Sequence, residues 1–172
     1  MELVLAPVHF REMIWILTPL LVSLLLMEFY FDRYKDEEMG WNTAFGNSLV
    51  LIFVSLDILR VLYGRGMLEY VTLESALAIS VVLIGFTLTL LTFFHILPKE
   101  LAFGLSSRLP INIIAYLTIV IIYAGILIDV YTAVTAVIFA VLVGMALKII
   151  SWLIPESGEI PELGNVGEDV KE

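Results

Sequence analysis

Residues 111–154 read INIIAYLTIVIIYAGILIDVYTAVTAVIFAVLVGMALKIISWLI, and Asp129 is the only charge in this run before Lys148. Drawn as one straight helix at about 1.5 Å per residue, the run would be roughly 66 Å long, about twice the hydrocarbon thickness of a bilayer. No soluble domain has a core of that length. The run therefore predicts two membrane spans joined by a tight hairpin near Asp129, and the chain reads as an all-α integral membrane protein.

Composition agrees. Of 172 residues, 60% are hydrophobic, and a mean hydropathy of +1.01 lies well outside the soluble globular range. Working back from the hairpin, three further apolar stretches complete about five transmembrane helices with short loops. The first covers Met13 to Phe31 and holds Pro19, which a membrane helix absorbs as a kink. The second covers Phe45 to Gly64, with Asn42 or Thr43 placed to cap its start, and the third covers Leu73 to Leu97, closed by Pro98. The fourth starts after Pro110 and ends near Ile128, and the fifth runs from Val130 to Ile154, before Pro155. A four-span alternative keeps the C-terminal stretch re-entrant. Between spans three and four, Pro98 to Pro110 is either a short interfacial helix, with Leu101 and Leu105 one turn apart, or an irregular loop dipping into the headgroups.

Residues 1–154 thus form a polytopic helical domain, and residues 155–172 form an acidic, flexible tail. Six acids (Glu156, Glu159, Glu162, Glu168, Asp169, Glu172) face the single base Lys171 there, which accounts for −5 of the formal net charge of −9. The N-terminus lacks a basic region and a small-residue cleavage site, so the first span is expected to act as the targeting signal. With five spans the termini lie on opposite faces. Arg33, Lys35, Lys99, Arg108, Lys148 and Lys171 collect on one face, and Arg11, Arg60 and Arg65 on the other. The more basic face is expected to be cytoplasmic, which puts the N-terminus outside and the tail inside. Trp41 and Trp152 then fall at the cytoplasmic interface, where aromatic anchors belong.

The chain has no cysteine, which excludes thiol chemistry, disulfides and thiolate metal sites. It has no glutamine either. Depletion of these thermolabile residues beside abundant Ile, Val and Glu leans towards a thermophilic bacterium or archaeon. No basic patch suited to nucleic acid or to anionic lipid headgroups is visible. Neither a Gly-x-Ser-x-Gly elbow nor a His-Glu-x-x-His motif occurs, and His9 and His95 fall on opposite faces. No metal and no cofactor is expected.

The residues that stand out are polar groups at membrane depth: Glu28, Asn47, Asp57, Arg60 and His95. Asp57 and Arg60 share one face of the second span, about 18 Å in from Phe45 and just past the midplane. An acid there costs about 2.5–3.5 kcal/mol and needs a partner or water. The pair is either an ion relay or polar substrate contact, or a local ion pair that fixes helix packing. The stripe Gly46, Val50, Phe53, Asp57, Arg60, Gly64 has small residues at both ends, as a protein-facing surface would. Glu28 and Asn47 fall at similar depth on neighbouring spans and could meet a cation or headgroup, or simply reach water. His95 could shuttle protons. The loop Asp32–Thr43 is either a docking surface or a solvated connector. In the fifth span Ala136, Ala140 and Gly144 recur every four residues, and Ala78, Gly85 and Thr89 form a looser stripe in the third. Such small-residue stripes let helix backbones approach closely but identify no activity.

Three readings of function follow. The first is a non-catalytic subunit or scaffold packed against other membrane proteins. The second is a small oligomeric transporter or channel using Asp57, Arg60 and Glu28. The third, a lipid-modifying membrane enzyme, has no motif behind it. The expected partners are the lipid bilayer and other membrane subunits or further copies of the chain, without nucleic acid.

Overall fold

A computed structural model describes residues 2–33, 40–69 and 72–153. The acidic tail, residues 34–39 of the Asp32–Thr43 loop and Ile154 lie outside the described residues. The chain order is α1 (Glu2–His9), a 3-10 turn (Arg11–Met13), α2 (Ile14–Arg33), α3 (Trp41–Gly64), α4 (Leu73–Phe93), α5 (Lys99–Leu105), α6 (Arg108–Ala124) and α7 (Val130–Leu153). There is no strand among the described residues. Five stretches are long and apolar enough to cross a membrane: the turn with α2, then α3, α4, α5 with α6, and α7. The chain is an all-α, multi-pass membrane protein.

Helix ends explain where the observed spans differ from the expected ones. The backbone of Gly40, in an extended conformation, starts α3, and its carbonyl accepts from the amides of Thr43 and Ala44. Asn42 and Thr43 therefore sit inside the first turn and are not the cap. Thr72 and Ser75 form a reciprocal capping box at the start of α4. α4 stops at Phe93, short of Leu97, because His95 takes a left-handed conformation (φ 53°). The His95 and Ile96 amides then return to the Thr92 and Leu91 carbonyls, the Schellman arrangement that glycine usually occupies. Gly125 (φ 62°) closes α6 in the same way, so the helix ends at Ala124, four residues before Ile128. At the other end of α6 the helix starts ahead of Pro110, which lies in the first turn, where its missing N–H costs nothing. α5 is the short helix between the two prolines.

The N-terminal helix α1 has no counterpart in the hydropathy reading. Its Leu3 and Ala6 are buried, and the Leu3 carbonyl accepts from the Tyr116 hydroxyl at 2.8 Å, which ties α1 to α6.

α6 is the centre of the bundle. Thr118 through Tyr123 are all buried, so neighbours cover this part of the helix on every side; α1, α2, α3 and α4 all pack against it. α3 and α4 form the tightest pair. A Cβ built on Gly85 would lie 2.8 Å from Leu51 Cβ, 3.2 Å from Ile52 N and 3.3 Å from Leu51 C, so only glycine permits this approach. Thr89 Oγ1 donates to Ser48 Oγ at 3.2 Å across the same seam. Ala78 and Gly85, the first two members of the α4 stripe, are buried, and Thr89 is half-buried.

α3 presents Ala44, Ser48, Leu51, Val54, Ser55, Ile58 and Leu62 to the core. The Gly46–Gly64 stripe does not face protein as expected. Gly46, Phe53, Arg60 and Gly64 are exposed, and only Val50 and Asp57 are half-buried. The face carrying Leu51 and Ile58 wins because it meets both Gly85 and α6.

α7 stands apart. It is as apolar as α6, yet none of its residues is buried. Phe139 stacks on Tyr116 (5.1 Å, 12°), and a Cβ on Gly144 would rest at an ordinary 3.7 Å from Leu109 Cδ2. Ala136, Ala140 and Gly144 are half-buried on the side nearest the bundle. Asp129 ends the connection from α6 and caps α7, its Oδ1 accepting from the Thr132 amide at 2.8 Å. That backbone bond holds the Asp129 carboxyl below the ordinary aspartate range.

Candidate functional site

The polar residues gather at two levels of the bundle. At the first, Asp57 projects from α3 about 7 Å beyond the helix midpoint, on the Gly64 side. Its two oxygens are taken by different helices. Oδ1 accepts from Arg60 Nη2 at 2.6 Å and from Arg60 Nε at 3.1 Å. Oδ2 accepts from the Tyr123 hydroxyl at 2.5 Å. Asp57 is mostly covered (22% exposed), whereas the Arg60 side chain is 73% exposed on the perimeter. The carboxylate therefore bridges α3 to the end of α6 and carries its cation outward. Eight residues further on from Asp57, Arg65 donates Nη1 to the Ile122 carbonyl (2.8 Å) and Nη2 to that of Tyr123 (3.2 Å). A guanidinium on the last carbonyls of a helix satisfies orphan acceptors and opposes the negative end of its dipole.

At the second level, toward the start of α3, Glu28 of α2 pairs with Arg108 of α6 at 3.7 Å, both side chains about four-fifths covered. Arg108 Nη1 also reaches the Met27 carbonyl. Asn47 Nδ2 donates to the Ser106 carbonyl at 2.9 Å. Glu28 and Asn47 are thus both drawn to the corner between α5 and α6. His95 stands edge-on to Trp41 at 4.2 Å, Phe103 meets the same indole at 5.1 Å, and Lys99 lies 5.6 Å over the Phe103 ring. This aromatic group pins the α4–α5 connection to the start of α3.

The structure thus brings Asp57 together with Arg60, and Glu28 and Asn47 to one corner. It does not join the two groups. Asn47 and Asp57 are about 15 Å apart along α3, and buried Leu51 and Val54 lie between them. The hydroxyls in that interval turn to their own helices, Ser55 to the Leu51 carbonyl and Thr118 to the Ile114 carbonyl. Among the described residues no three His, Asp or Glu side chains converge as metal ligands would.

Sequence reasoning missed Tyr123, Arg65 and Arg108 as partners. Arg65 and Arg108 carried a signal, since Arg65 is a cation one residue past the expected end of the second span and Arg108 lies three residues before the expected start of the fourth. Tyr123 was legible only in depth: counted from the expected ends at Gly64 and Ile128 it falls within about 3 Å of the level of Asp57, but nothing in the sequence shows which face of α6 meets α3. Neither a protein-family model, nor a curated protein, nor a solved structure matches this chain.

Proposed function

We propose that the chain is a non-catalytic subunit or scaffold of a membrane complex, with its N-terminus outside and its acidic tail in the cytoplasm. The observation that carries this reading is α7, a full-length apolar span that buries none of its own residues. A helix so loosely held adds little to a solitary bundle and leaves a broad surface for neighbouring membrane helices. The polar chemistry agrees with a packing role. Both oxygens of Asp57 serve as a clasp between α3 and α6, and an apolar layer lies between Asp57 and the Glu28 corner. For orientation, Lys99 and Arg108 lie at the end opposite Arg11, Arg60 and Arg65, which fits the positive-inside pattern read from the whole sequence.

A small oligomeric transporter remains as the second reading, and one observation favours it. Arg60 carries its charge to the bundle perimeter, where a further copy of the chain would shield it from lipid. Purification in a mild detergent with mass determination separates the two. Stoichiometric foreign subunits are the expected result. A pure homo-oligomer that conducts ions in vesicles, and loses that flux on Asp57→Asn, would refute the scaffold reading. Single cysteines test the orientation: one at position 129 should react with an impermeant reagent in intact cells and one at position 99 should not, and the reverse pattern would invert it.

A further inference from the structure

All three arginines of the N-terminal face line one pair of adjoining cavities. One, about 610 Å³, is bounded by Arg11, Glu12, Trp15, Arg60, Val61 and Tyr123. The other, about 500 Å³, is bounded by His9, Phe10, Arg11, Glu12, Arg65 and Tyr123. Arg11, Glu12 and Tyr123 are common to both. The arginines come from three separate segments: the turn before α2, the last turns of α3, and the connection after it. No run of basic residues announces the cluster, which is why the sequence showed no basic patch.

We propose that Arg11, Arg60 and Arg65 form one binding site for a phosphate-bearing anion. The charges lean that way. Three guanidinium groups face two carboxylates, and one of those carboxylates, Asp57, is already engaged by Arg60 and by the Tyr123 hydroxyl. Arg65 bonds only to neutral carbonyl oxygens, and Glu12 is the one carboxylate that lines its cavity, shared there with Arg11, so the site keeps a net positive charge. Arg11 is exposed and has no ion-pair partner among the described residues. Guanidinium groups offer paired N–H donors that match phosphate oxygens bidentately.

The same chemistry is presented by a lipid phosphodiester or by free phosphate. Arg60 lies about 6 Å short of the Gly64 end of α3 and opens sideways. Trp15 beside it is 87% exposed, as an interfacial tryptophan would be. A headgroup can enter from the bilayer, and free phosphate only from the aqueous end past His9.

The test is native mass spectrometry of the full chain in a mild neutral detergent, titrated separately with phosphatidylglycerol, phosphatidylcholine and inorganic phosphate. Both lipids carry the phosphodiester, but the choline cation of phosphatidylcholine is repelled by the three guanidinium groups, so one phosphatidylglycerol should be retained about tenfold more strongly, a difference of about 1.4 kcal/mol. Arg11→Gln should remove most of that preference while the melting temperature stays unchanged, and Lys99→Gln at the opposite end should leave it intact. Displacement of phosphatidylglycerol by inorganic phosphate at matched concentration would make the soluble anion the ligand of the same site. The proposal is overturned if the two lipids are held equally and inorganic phosphate does not bind. It is also overturned if Arg11→Gln and Lys99→Gln weaken retention alike.

Discussion

Gly85 offers the sharpest test of how this bundle is held together. Its missing side chain lets α4 lie against α3 with Leu51 Cβ only 2.8 Å from where a Cβ would stand. Carbon atoms in contact prefer about 3.5–4.0 Å, so Gly85→Ala must part the helices locally by about 1 Å. Two of the three obstructing atoms are backbone, Ile52 N and Leu51 C, so no rotamer change relieves the clash. The same movement stretches the 3.2 Å bond between Thr89 and Ser48 beyond hydrogen-bond range. Overpacking of this kind costs about 1–3 kcal/mol, and an interhelical hydrogen bond in a membrane protein adds about 0.6 kcal/mol. A loss of about 2–3 kcal/mol is therefore expected. Unfolding by sodium dodecyl sulfate in mixed micelles, followed by circular dichroism, would measure it. Gly46→Ala and Gly144→Ala are the controls, since the first meets nothing within 4 Å and the second only Leu109 at 3.7 Å. Both should be neutral or slightly stabilising, because alanine is the better helix former. If Gly85→Ala unfolds with its controls, α3 and α4 are not as close as described and the argument fails.

Three further outcomes are expected. Tyr123→Phe removes the donor to Asp57 Oδ2 and should cost about 1–3 kcal/mol in the same unfolding assay, as a buried bond to a charged group does; an unchanged midpoint would show that the clasp contributes nothing. His95→Gly should be about 1 kcal/mol more stable than His95→Ala, because both lose the ring against Trp41 but only glycine accepts φ 53° without strain; equal stabilities would argue against the left-handed turn. Asp129 has its carboxyl held low by the Thr132 amide, so its cap is present above the ordinary aspartate range and is lost as pH falls through the lowered value. The protection factor of the Thr132 amide should therefore be held through the ordinary aspartate range and fall only below it, whereas in Asp129→Asn it should not vary with pH; identical pH profiles for the two would refute the cap.

Hydropathy made the spans legible because a membrane helix must satisfy its own backbone and surround itself with apolar atoms. Their ends were less so. The stop of α4 at His95 was invisible, since a histidine gives no warning of a left-handed turn, whereas Gly125 was a readable stop that the surrounding apolar residues masked. α1 was missed because eight residues are too few to register against a threshold set for spans. For the candidate site, the Asp57–Arg60 pair followed from helical spacing alone, which is a local rule. Tyr123 and Arg65 depend on how α3 meets α6, and no local rule supplies that.

The contrast between α6 and α7 marks the limit of reading a membrane chain by composition. Both come from the run Ile111–Leu153 and both are apolar all round, yet α6 has six consecutive buried residues and α7 has none. In water such a pair could not exist, since an all-apolar helix left outside would draw the fold around itself. In a bilayer, lipid tails are as apolar as leucine, so hydropathy puts α7 in the membrane without saying what it touches. What separates the two helices is polar and steric detail. α6 carries Tyr116 and Tyr123, whose hydroxyls find Leu3 and Asp57, and it packs against both α3 and α4. α7 rests against α2 and α6 with its contact residues only half-buried, the stack of Phe139 on Tyr116 among them. A helix attached so lightly is free to exchange lipid for a neighbouring protein helix at little cost to the bundle. That is the physical ground for looking to a second polypeptide, rather than to a pore within this one, for what the protein does.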